Sequence, residues 1–533
     1  MNANSDEYIR LKRKAFQLLS ANEFNRSLFY FDRAAFYASN TQTGIFYDED
    51  FELNLFQLYE KSQSSNDLRQ AERINYKIVS RGDSNSSNKQ VIGIAVSNIL
   101  DMGGHTECII RFCKSLSSYF DIHVFLSESF ADSSKLAPEK IQILQEFATI
   151  HKFAFCSKRI EKMFLKSEQI VSAIKNLNPS LLMLYVHPED LIWSLITRIL
   201  KKENLPISTI FFNHADHIFS LSFDQDYILE YREEGFLISN KFRKKKKTAL
   251  IPLQGQPNQN NQTVFPKIKE IKNKLFIQDG EILFMSGFSS YKVFVDYQLE
   301  FLHFVISLLN TTNSTKYLLI SNFSNKEKEV FRKLLLQFDS SLESRVIFLS
   351  PQTDFESYIQ ACDIYIDTFP LGNGLTLIDV IKNGKPVIST KNGKVSYFSS
   401  YKNLPTDYQF VANNLVEARQ FALELLSNQL LRVKIGEELK KYYLQTFEFN
   451  LVGEKYKKFL ESIINSENIS EHLINENSIK DDLVTDFAYI EDVFQHYLSN
   501  YRYSSAENLF RKIFKIFPQD LIHETKYNLK KLL

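Results

Sequence analysis

Short apolar runs alternate with longer amphipathic stretches along the middle of the chain. Runs of this kind, separated by helical patterns, are typical of parallel strands whose two faces are covered by helices. The apolar runs before residue 250 are 91–97, 122–127, 148–155, 181–186, 208–213 and 235–239. Those after residue 280 are 282–286, 317–321, 345–350, 364–367 and 386–390. The pattern predicts an α/β fold with two consecutive Rossmann-like halves.

Two polar segments divide the chain into predicted regions. Residues 81–89 read RGDSNSSNK and form a hydrophilic linker, and residues 248–266 are rich in Pro, Gln and Asn. The apolar positions of 6–62 fit a helix–turn–helix that resembles a tetratricopeptide unit, with helical caps packed on the core as the alternative. The predicted regions are a helical, tetratricopeptide-like region 1–80, a first Rossmann-like domain 90–250, a second Rossmann-like domain 266–465 and a helical region 481–533.

The most informative motif is residues 361–390, ACDIYIDTFPLGNGLTLIDVIKNGKPVIST. A short strand runs into a loop of Pro, Gly and Asn, and a helix and a second strand follow. Asn373, Gly374 and Thr376 stand at the start of that helix, where free N–H groups and the helix dipole favour a phosphate. Asp379 lies about one turn further in, where its carboxylate could reach a ribose hydroxyl. The order of residues predicts a nucleotide-binding site.

A second motif lies upstream, in residues 282–309. An apolar strand that ends at Ser286 runs into a loop of small residues, then Lys292 and a long amphipathic helix. Ser286 and Lys292 are candidate donor-binding residues, since one fixed ammonium in a dry cleft can stabilise the charge of a departing diphosphate. The alternative for Lys292 is an ordinary solvated lysine at a helix start.

Together these motifs resemble the nucleotide-sugar site of GT-B glycosyltransferases. The likeness is greatest to the O-GlcNAc transferase family and its bacterial relatives that glucosylate asparagines of adhesins. The resemblance implies a GT-B fold over about 90–465. It also implies that the first half binds the acceptor and that the second half binds a nucleotide sugar, with a UDP-sugar as the expected donor. No metal or other cofactor is expected. The resemblance further implies that Lys292 contacts the diphosphate and that 448–465 forms a helix returning to the first half.

Two departures from the family pattern bear on the chemistry that this resemblance implies. The retaining enzymes carry a Glu seven residues before the nucleotide-binding acid, and here that region is Pro, Gly and Asn, which favours the inverting class. Leu375 stands where O-GlcNAc transferases place a polar residue beside the diphosphate. The identity of the donor sugar and nucleotide therefore stays open.

Two loops of the first half are candidates for the acceptor side of the cleft. Gly103, Gly104 and His105 follow the first strand, where glycines permit close approach to a sugar or phosphate, or form only a tight turn. His214 and Asp216 follow the strand 208–212. A histidine can act as general base near neutral pH, with a carboxylate to orient it, so we expect His214 to ionise near its ordinary pKa of ~6.5. Asp216 is the alternative base.

Other polar residues near these strands carry weaker signals. His187 follows a strand and either faces the cleft or caps the strand. A zinc site built from His214, Asp216 and His217 would have poor tetrahedral geometry, because its ligands share one short loop. The stretch 224–226 reads Asp-Gln-Asp, which looks like a metal-binding motif but is interpreted as surface.

Composition excludes some classes of protein. The 533 residues carry a net charge of +1, which argues against a nucleic-acid-binding surface. The basic run 241–247 is interpreted as a solvated loop, with contact to anionic lipid or acceptor as the alternative. The four cysteines lack metal-ligand spacing, no run reaches ~18 apolar residues, and no signal core begins the sequence. A cytoplasmic protein is predicted.

These observations lead to one principal hypothesis and two alternatives. The principal hypothesis is an inverting glycosyltransferase that moves a sugar from a UDP-sugar to a protein acceptor. The first alternative is a glycosyltransferase that builds capsule, lipopolysaccharide or another surface glycan. The second is an inactive GT-B scaffold that binds a partner enzyme, although a scaffold has no need of Lys292, Asp379 and the His214 loop together. The sequence leaves the oligomeric state open.

Overall fold

The computed structural model describes most of the chain up to residue 467. The described residues are 3–63, 75–81, 89–100, 104–129, 137–154, 160–222, 224–243, 247–257, 264–296, 298–311, 314–391, 393–467 and 486. The predicted helical region 481–533 therefore lies outside the described residues, except for residue 486. Gly103 of the predicted acceptor loop also lies outside them.

The first sheet has eight strands, and seven of them are parallel to one another. The spatial order is β1-β4-β3-β2-β5-β6-β7-β8, with β1 antiparallel to β4 at the edge. The strands are β1 (Tyr76–Val79), β2 (Gln90–Val96), β3 (Phe120–Leu126), β4 (Thr149–Phe153), β5 (Leu181–Tyr185), β6 (Ser208–Phe212), β7 (Tyr227–Glu230) and β8 (Lys247–Leu250). Five of the six apolar runs predicted here are strands, and β1, β7 and β8 were not predicted.

The predicted strand at 235–239 is wrong, because these residues lie in a helix. Short apolar runs do not distinguish a buried strand from a buried helix turn. Glu233 and Glu234 stand in the first turn of that helix, where negative charge is favourable. The helices of this half are α4 (Gly104–Leu116), α5 (Pro138–Gln145), α6 (Ile160–Leu177), α7 (Leu191–Lys202) and α8 (Glu233–Phe242).

The second sheet has six parallel strands in the order β11-β10-β9-β12-β13-β14. The strands are β9 (Ile282–Phe288), β10 (Thr315–Ser321), β11 (Val346–Leu349), β12 (Ile364–Ile366), β13 (Val387–Thr390) and β14 (Val411–Ala412). Its helices are α9 (Val264–Lys274), α10 (Tyr291–Phe294), α11 (Glu300–Leu309), α12 (Asn325–Phe338), α13 (Phe355–Ala361), α14 (Leu375–Lys382) and α15 (Leu415–Ser427). All five strands predicted for this half are present.

Each sheet has a point where the chain reverses its direction of winding. In the first sheet this point lies between β2 and β5, and in the second it lies between β9 and β12. Loops that leave two such strands diverge and open a crevice at their carboxyl ends, which is where α/β sheets bind ligands. The two crevices therefore locate the acceptor and donor candidates by topology alone.

Two long helices, α16 (Gln429–Thr446) and α17 (Phe449–Ile464), close the second half, and α17 returns to the first. A Cβ built on Gly453 of α17 would lie 3.1 Å from the Cβ of Ser115 in α4. The linker between the halves is held at Gln254. Its backbone carbonyl accepts a hydrogen bond from Arg111 (2.9 Å), and its side-chain Nε2 donates to the carbonyl of Phe449 (2.6 Å). The expected return of the last helix to the first half is present.

The helices α1 (Ala3–Ser20), α2 (Phe24–Asn40) and α3 (Glu49–Ser62) share one apolar cluster with α6 and α7. The buried carboxylate of Glu52 in α3 accepts a hydrogen bond of 2.8 Å from Ser194 in α7. These helices are therefore packed on the first half, as the cap alternative describes. Across the described ranges, no helix combines the length and the apolar character needed to cross a bilayer.

The position of α14 depends on a close contact between two glycines. A Cβ built on Gly436 in α16 would overlap the carbonyl oxygen of Gly384, which follows α14. We expect Gly436→Ala to lower the free energy of unfolding by about 1–2 kcal/mol, since overpacking costs ~1–3 kcal/mol and better helix propensity offsets part of it. Urea unfolding measures the loss. Gly393→Ala, where a Cβ meets open space, is the control, and equal midpoints for the two variants would contradict this packing.

Candidate active site

Three histidines from separate loops meet at the crevice of the first sheet. His105 lies at the start of α4, His187 follows β5, and His214 follows β6. The ring centroids are 4.4 Å apart for His105 and His214, 5.4 Å for His105 and His187, and 6.2 Å for His187 and His214. The sequence offered these residues as separate candidates, and the sheet topology brings them together.

Burial lowers the pKa of two histidines in this cluster, His105 and His214. The Nε2–H of His105 donates to the carbonyl of Tyr185 (3.0 Å), which leaves Nδ1 as an acceptor, and burial lowers the pKa of His105 well below its ordinary value. Burial, with the neighbouring His187, lowers the pKa of His214 to about 3. The expected ionisation of His214 near ~6.5 is therefore corrected, because its loop packs into the protein. The imidazole of His214 is therefore neutral throughout the physiological pH range.

Asp216 is held in a buried ion pair. Arg232 donates to it from Nε and from Nη2, at 2.6 Å each, and the carboxylate is fully buried. The guanidinium, against the opposing effect of burial, lowers the pKa of Asp216 below its usual range. His217 contacts the same carboxylate at 3.2 Å. A carboxylate whose two oxygens both bind a guanidinium is a poor base, so the geometry favours a structural role for Asp216. The same ion pair leaves neither oxygen free to be a zinc ligand.

A second buried carboxylate supports the His214 loop. Glu230 accepts a hydrogen bond of 2.7 Å from Nδ2 of Asn213, the residue before His214. Burial, and then the charge of Asp216, raise the pKa of Glu230 to about 7. Arg243 donates to the carbonyls of Asp216 (3.4 Å) and Ile218 (3.0 Å) and is itself buried. The interpretation of 241–247 as a solvated loop is therefore wrong at Arg243.

The predicted donor loop, residues 367–374, is organised around Asp367, which follows β12. Its Oδ1 accepts hydrogen bonds of 3.1 Å from the backbone N–H and from Nδ2 of Asn373. Lys292 donates from Nζ to the carbonyl of Gly372 (2.6 Å) and to Oδ1 of Asn373 (3.0 Å). Burial lowers the pKa of Lys292 to about 8. Lys292 and the Asn373 loop, predicted from two separate motifs, are thus in direct contact.

The start of α14 faces the first half. Gly374 is the N-cap of α14, and its carbonyl accepts a hydrogen bond of 3.1 Å from the N–H of Leu377. The N–H groups before Leu377 lie at the positive end of the helix dipole. A Cβ built on Gly104, at the start of α4, would lie 3.5 Å from Leu375. Thr376 is the second residue of α14 and is partly exposed. Two helix N-termini therefore meet across the cleft, an arrangement suited to an anion.

Asp379 forms an ion pair with the first half. Its Oδ2 accepts a hydrogen bond of 2.9 Å from Nη2 of Arg111 in α4, and both side chains are buried. Its Oδ1 has no hydrogen-bond partner among the described residues. Burial raises the pKa of Asp379, against the opposing effect of Arg111. One carboxylate oxygen is therefore committed to holding the halves together and the other is available.

Two predicted placements are corrected by the structure. Ser286 is fully buried within β9, where its hydroxyl contacts the hydroxyl of Tyr317 (2.8 Å) and the carbonyl of Ile366 (2.6 Å), so it supports the sheet rather than lining the donor loop. The surface interpretation of 224–226 is wrong at Asp224 and Gln225, which are buried, whereas the side chain of Asp226 is 39% exposed. Asp224 is buried and paired with Arg198 at 2.9 Å, and Asp226 accepts hydrogen bonds from Thr209.

The sequence did not single out Arg111, Arg232 or Asp367. Arg111 stands between the apolar residues Ile110 and Phe112 of α4. An arginine is rarely buried unless it is paired, so this position indicates a buried partner for its charge. Asp367 ends a strand just before the loop of Pro and Gly, a position from which an acceptor can reach loop N–H groups. Arg232 precedes two glutamates in a polar turn, and no local pattern marks it.

Comparison with protein-family models and with curated proteins gives no match to this sequence. The structure is similar to a glycosyltransferase from Rickettsia africae, with a TM-score of 0.55, 15% identity and coverage of 71% of this chain and 100% of that one. It is also similar to HepE of Anabaena in complex with UDP, with a TM-score of 0.52, 13% identity and coverage of 70% and 100%. An O-GlcNAc transferase mutant from Thermobaculum terrenum aligns at 12% identity over 86% and 84%, at a TM-score of 0.48 that is too low to support an inference.

At these identities the likeness establishes the fold. The chain has the two-domain GT-B fold, and the solved proteins that share it here are glycosyltransferases. The predicted fold class is confirmed. Among the residues that the structure describes, no group of three His, Cys, Asp or Glu side chains is arranged to hold a metal ion.

The buried histidines predict how stability depends on pH. Because the pKa of His214 is lowered to about 3 in the folded protein, its contribution is fully present above the unfolded pKa of ~6.5 and is lost as pH falls towards 3. We expect His214→Gln to reduce the slope of unfolding free energy against pH over this window, as measured by urea unfolding. His303→Gln, at an exposed position, is the control. Parallel profiles for wild type and His214→Gln would contradict a buried neutral imidazole.

Proposed function

We propose that the protein is an inverting glycosyltransferase that moves a sugar from a UDP-sugar to a protein acceptor. The observation that carries this proposal is the contact of Lys292 with Gly372 and Asn373 at the start of α14, opposite the histidine cluster. The ammonium of Lys292 and the N-terminus of α14 lie beside the same loop, and two positive groups in one place suit a diphosphate. The GT-B fold supports the reaction class by analogy.

The donor is held by the second half in this proposal. Lys292 and the N–H groups at the start of α14 bind the diphosphate, and Oδ1 of Asp379 accepts a hydrogen bond from a ribose hydroxyl. A diphosphate beside Lys292 also favours the charged ammonium, which burial alone disfavours. UDP is the proposed nucleotide because HepE, which shares the fold, binds UDP and UDP-glucose in its crystal structures.

The transfer step follows from the two sides of the cleft. The acceptor nucleophile attacks the anomeric carbon while neutral His214 takes its proton, and the bond from that carbon to the diphosphate breaks. The electron pair leaves with UDP, where Lys292 stabilises the new charge. Attack opposite the leaving group inverts the anomeric configuration. Burial, and then His187, lower the pKa of His214, so the base is neutral before it takes the proton.

A protein acceptor is favoured by the helices α1 to α3, which add a helical surface to the first half, and by the motif likeness to protein-modifying enzymes. The test is a screen of purified protein with UDP-, GDP- and CMP-sugars for donor hydrolysis, followed by transfer to peptides or to lipid-linked glycans. Proton NMR of the product reports the anomeric configuration. Transfer to glycans alone would favour the surface-glycan alternative, and no binding or hydrolysis of any donor would favour an inactive scaffold.

We expect Lys292→Ala to lower kcat about 100-fold, on the scale of losing one transition-state charge contact, with the fold intact. Steady-state kinetics and circular dichroism measure the two properties. Lys333→Ala, at a side chain that is 68% exposed, is the matched control and should keep full activity. Full turnover in Lys292→Ala would remove this residue from the mechanism.

We expect His214→Ala to abolish transfer while the dissociation constant of UDP stays nearly unchanged, because base and donor belong to different halves. Isothermal titration with UDP and a transfer assay separate the two effects. Since the pKa of His214 is lowered to about 3, wild-type kcat should show no ionisation from this group between about pH 5 and pH 8. Full transfer by His214→Ala would move the search for the base to His105 or His187.

A further inference from the structure

A continuous hydrogen-bonded bridge joins the His214 loop to the donor loop. Its centre is Arg232, which follows β7 in the first half and donates through Nε and Nη2 to both oxygens of Asp216, at 2.6 Å each. Its third nitrogen, Nη1, donates to the carbonyl of Tyr397 in the second half. All three nitrogens of one partly buried guanidinium therefore donate hydrogen bonds, and they connect the two halves.

The second half continues the bridge to the diphosphate side. The carbonyl of Phe398, the residue after Tyr397, accepts a hydrogen bond of 2.7 Å from the N–H of Gly372. The carbonyl of Gly372 accepts from Nζ of Lys292 at 2.6 Å. Arg232 also lies close enough to influence Lys292, since its charge, after burial as the main cause, contributes to the lowered pKa of that ammonium.

We infer that Arg232 is a positioning residue of the transfer reaction, which holds the base loop of the first half in register with the donor loop of the second. The inference rests on the proposed function, because the roles of His214 and Lys292 are assigned there. Arg232 itself has no contact with the reacting atoms in this assignment. Its effect comes through Asp216 on one side and through Tyr397 and Gly372 on the other.

The physical reason is the sensitivity of transfer to distance. Reacting atoms must approach within about 3–3.5 Å, and a misplacement of ~1 Å can cost about 100-fold in rate. When base and donor belong to different halves, this distance is set by the contacts between the halves. A planar guanidinium can bind a carboxylate through two nitrogens and still present a third to a carbonyl, which a lysine ammonium on its flexible stem does not reproduce.

The chain offers a matched control in Arg243. This second buried arginine contacts the same loop through the carbonyls of Asp216 and Ile218, and its recorded hydrogen bonds all stay within the first half. Replacing either arginine by lysine keeps the positive charge near the loop. Only the change at Arg232 removes a contact between the halves.

The experiment compares Arg232→Lys with Arg243→Lys in the full chain. We expect Arg232→Lys to lower kcat for transfer about 30- to 100-fold, with the donor KM and the UDP dissociation constant within about threefold of wild type. The ratio of transfer to donor hydrolysis should fall as well, because a misaligned acceptor lets water compete. Arg243→Lys should lower the thermal midpoint but keep kcat and this ratio within about threefold.

A second variant covers the case in which Arg232→Lys fails to fold because the lysine ammonium does not reproduce both hydrogen bonds to the buried carboxylate of Asp216. The double change Asp216→Asn with Arg232→Gln removes both charges and should show the same loss of kcat. Equal kcat and equal transfer ratios in the Arg232 and Arg243 variants would overturn the inference while leaving the proposed function intact. A wild-type protein that neither binds UDP nor hydrolyses any donor would overturn the proposed function and this inference with it.

Discussion

A guanidinium that is buried on an apolar helix face needs partners for its charge and its N–H groups, and for Arg111 the carboxylate partner belongs to the other half of the chain. Asp379 accepts from Nη2 of Arg111, and the linker carbonyl of Gln254 accepts from Nη1. An ion taken out of water without a partner costs several kcal/mol, so neither half is at its most stable alone. The closeness of the two crevices, and of the residues at their strand ends, depends on this pairing.

The parts of the fold that follow local rules could be predicted from the sequence. Parallel strands are continuous apolar runs, so most strands and the loops that follow them could be predicted, whereas the spatial order that sets the two switch points comes from the structure. The contact of Lys292 with the loop before α14 agrees with two motifs that pointed to one site, while the binding of a donor there stays a prediction. Two predictions failed. The apolar run 235–239 fits a strand or a helix equally well and lies in helix α8, and Arg243 of the predicted solvated loop is buried.

Residue roles were harder to predict than residue places. His214 lies where its strand predicted, yet its pKa depends on how deeply the loop is packed, and burial has no local signature in the sequence. Asp216 resembled an orienting carboxylate until Arg232 was seen to occupy it. Arg111 and Asp379 are 268 positions apart, so no spacing rule could have paired them. Ion pairs between residues that are far apart in the sequence leave no local pattern from which they could be predicted.

The antiparallel strand β1 has a consequence for how this architecture can be taken apart. It covers the edge of β4, and its Tyr76 hydroxyl contacts Nδ1 of His151 in that strand at 2.7 Å. A fragment that starts at β2 would present β4 as an open edge, a template for pairing with another chain. It would also expose the apolar faces of α6 and α7 that α1 to α3 cover. The amino-terminal helices and β1 therefore protect the first Rossmann-like half from aggregation, and we expect that half to lose solubility when they are removed.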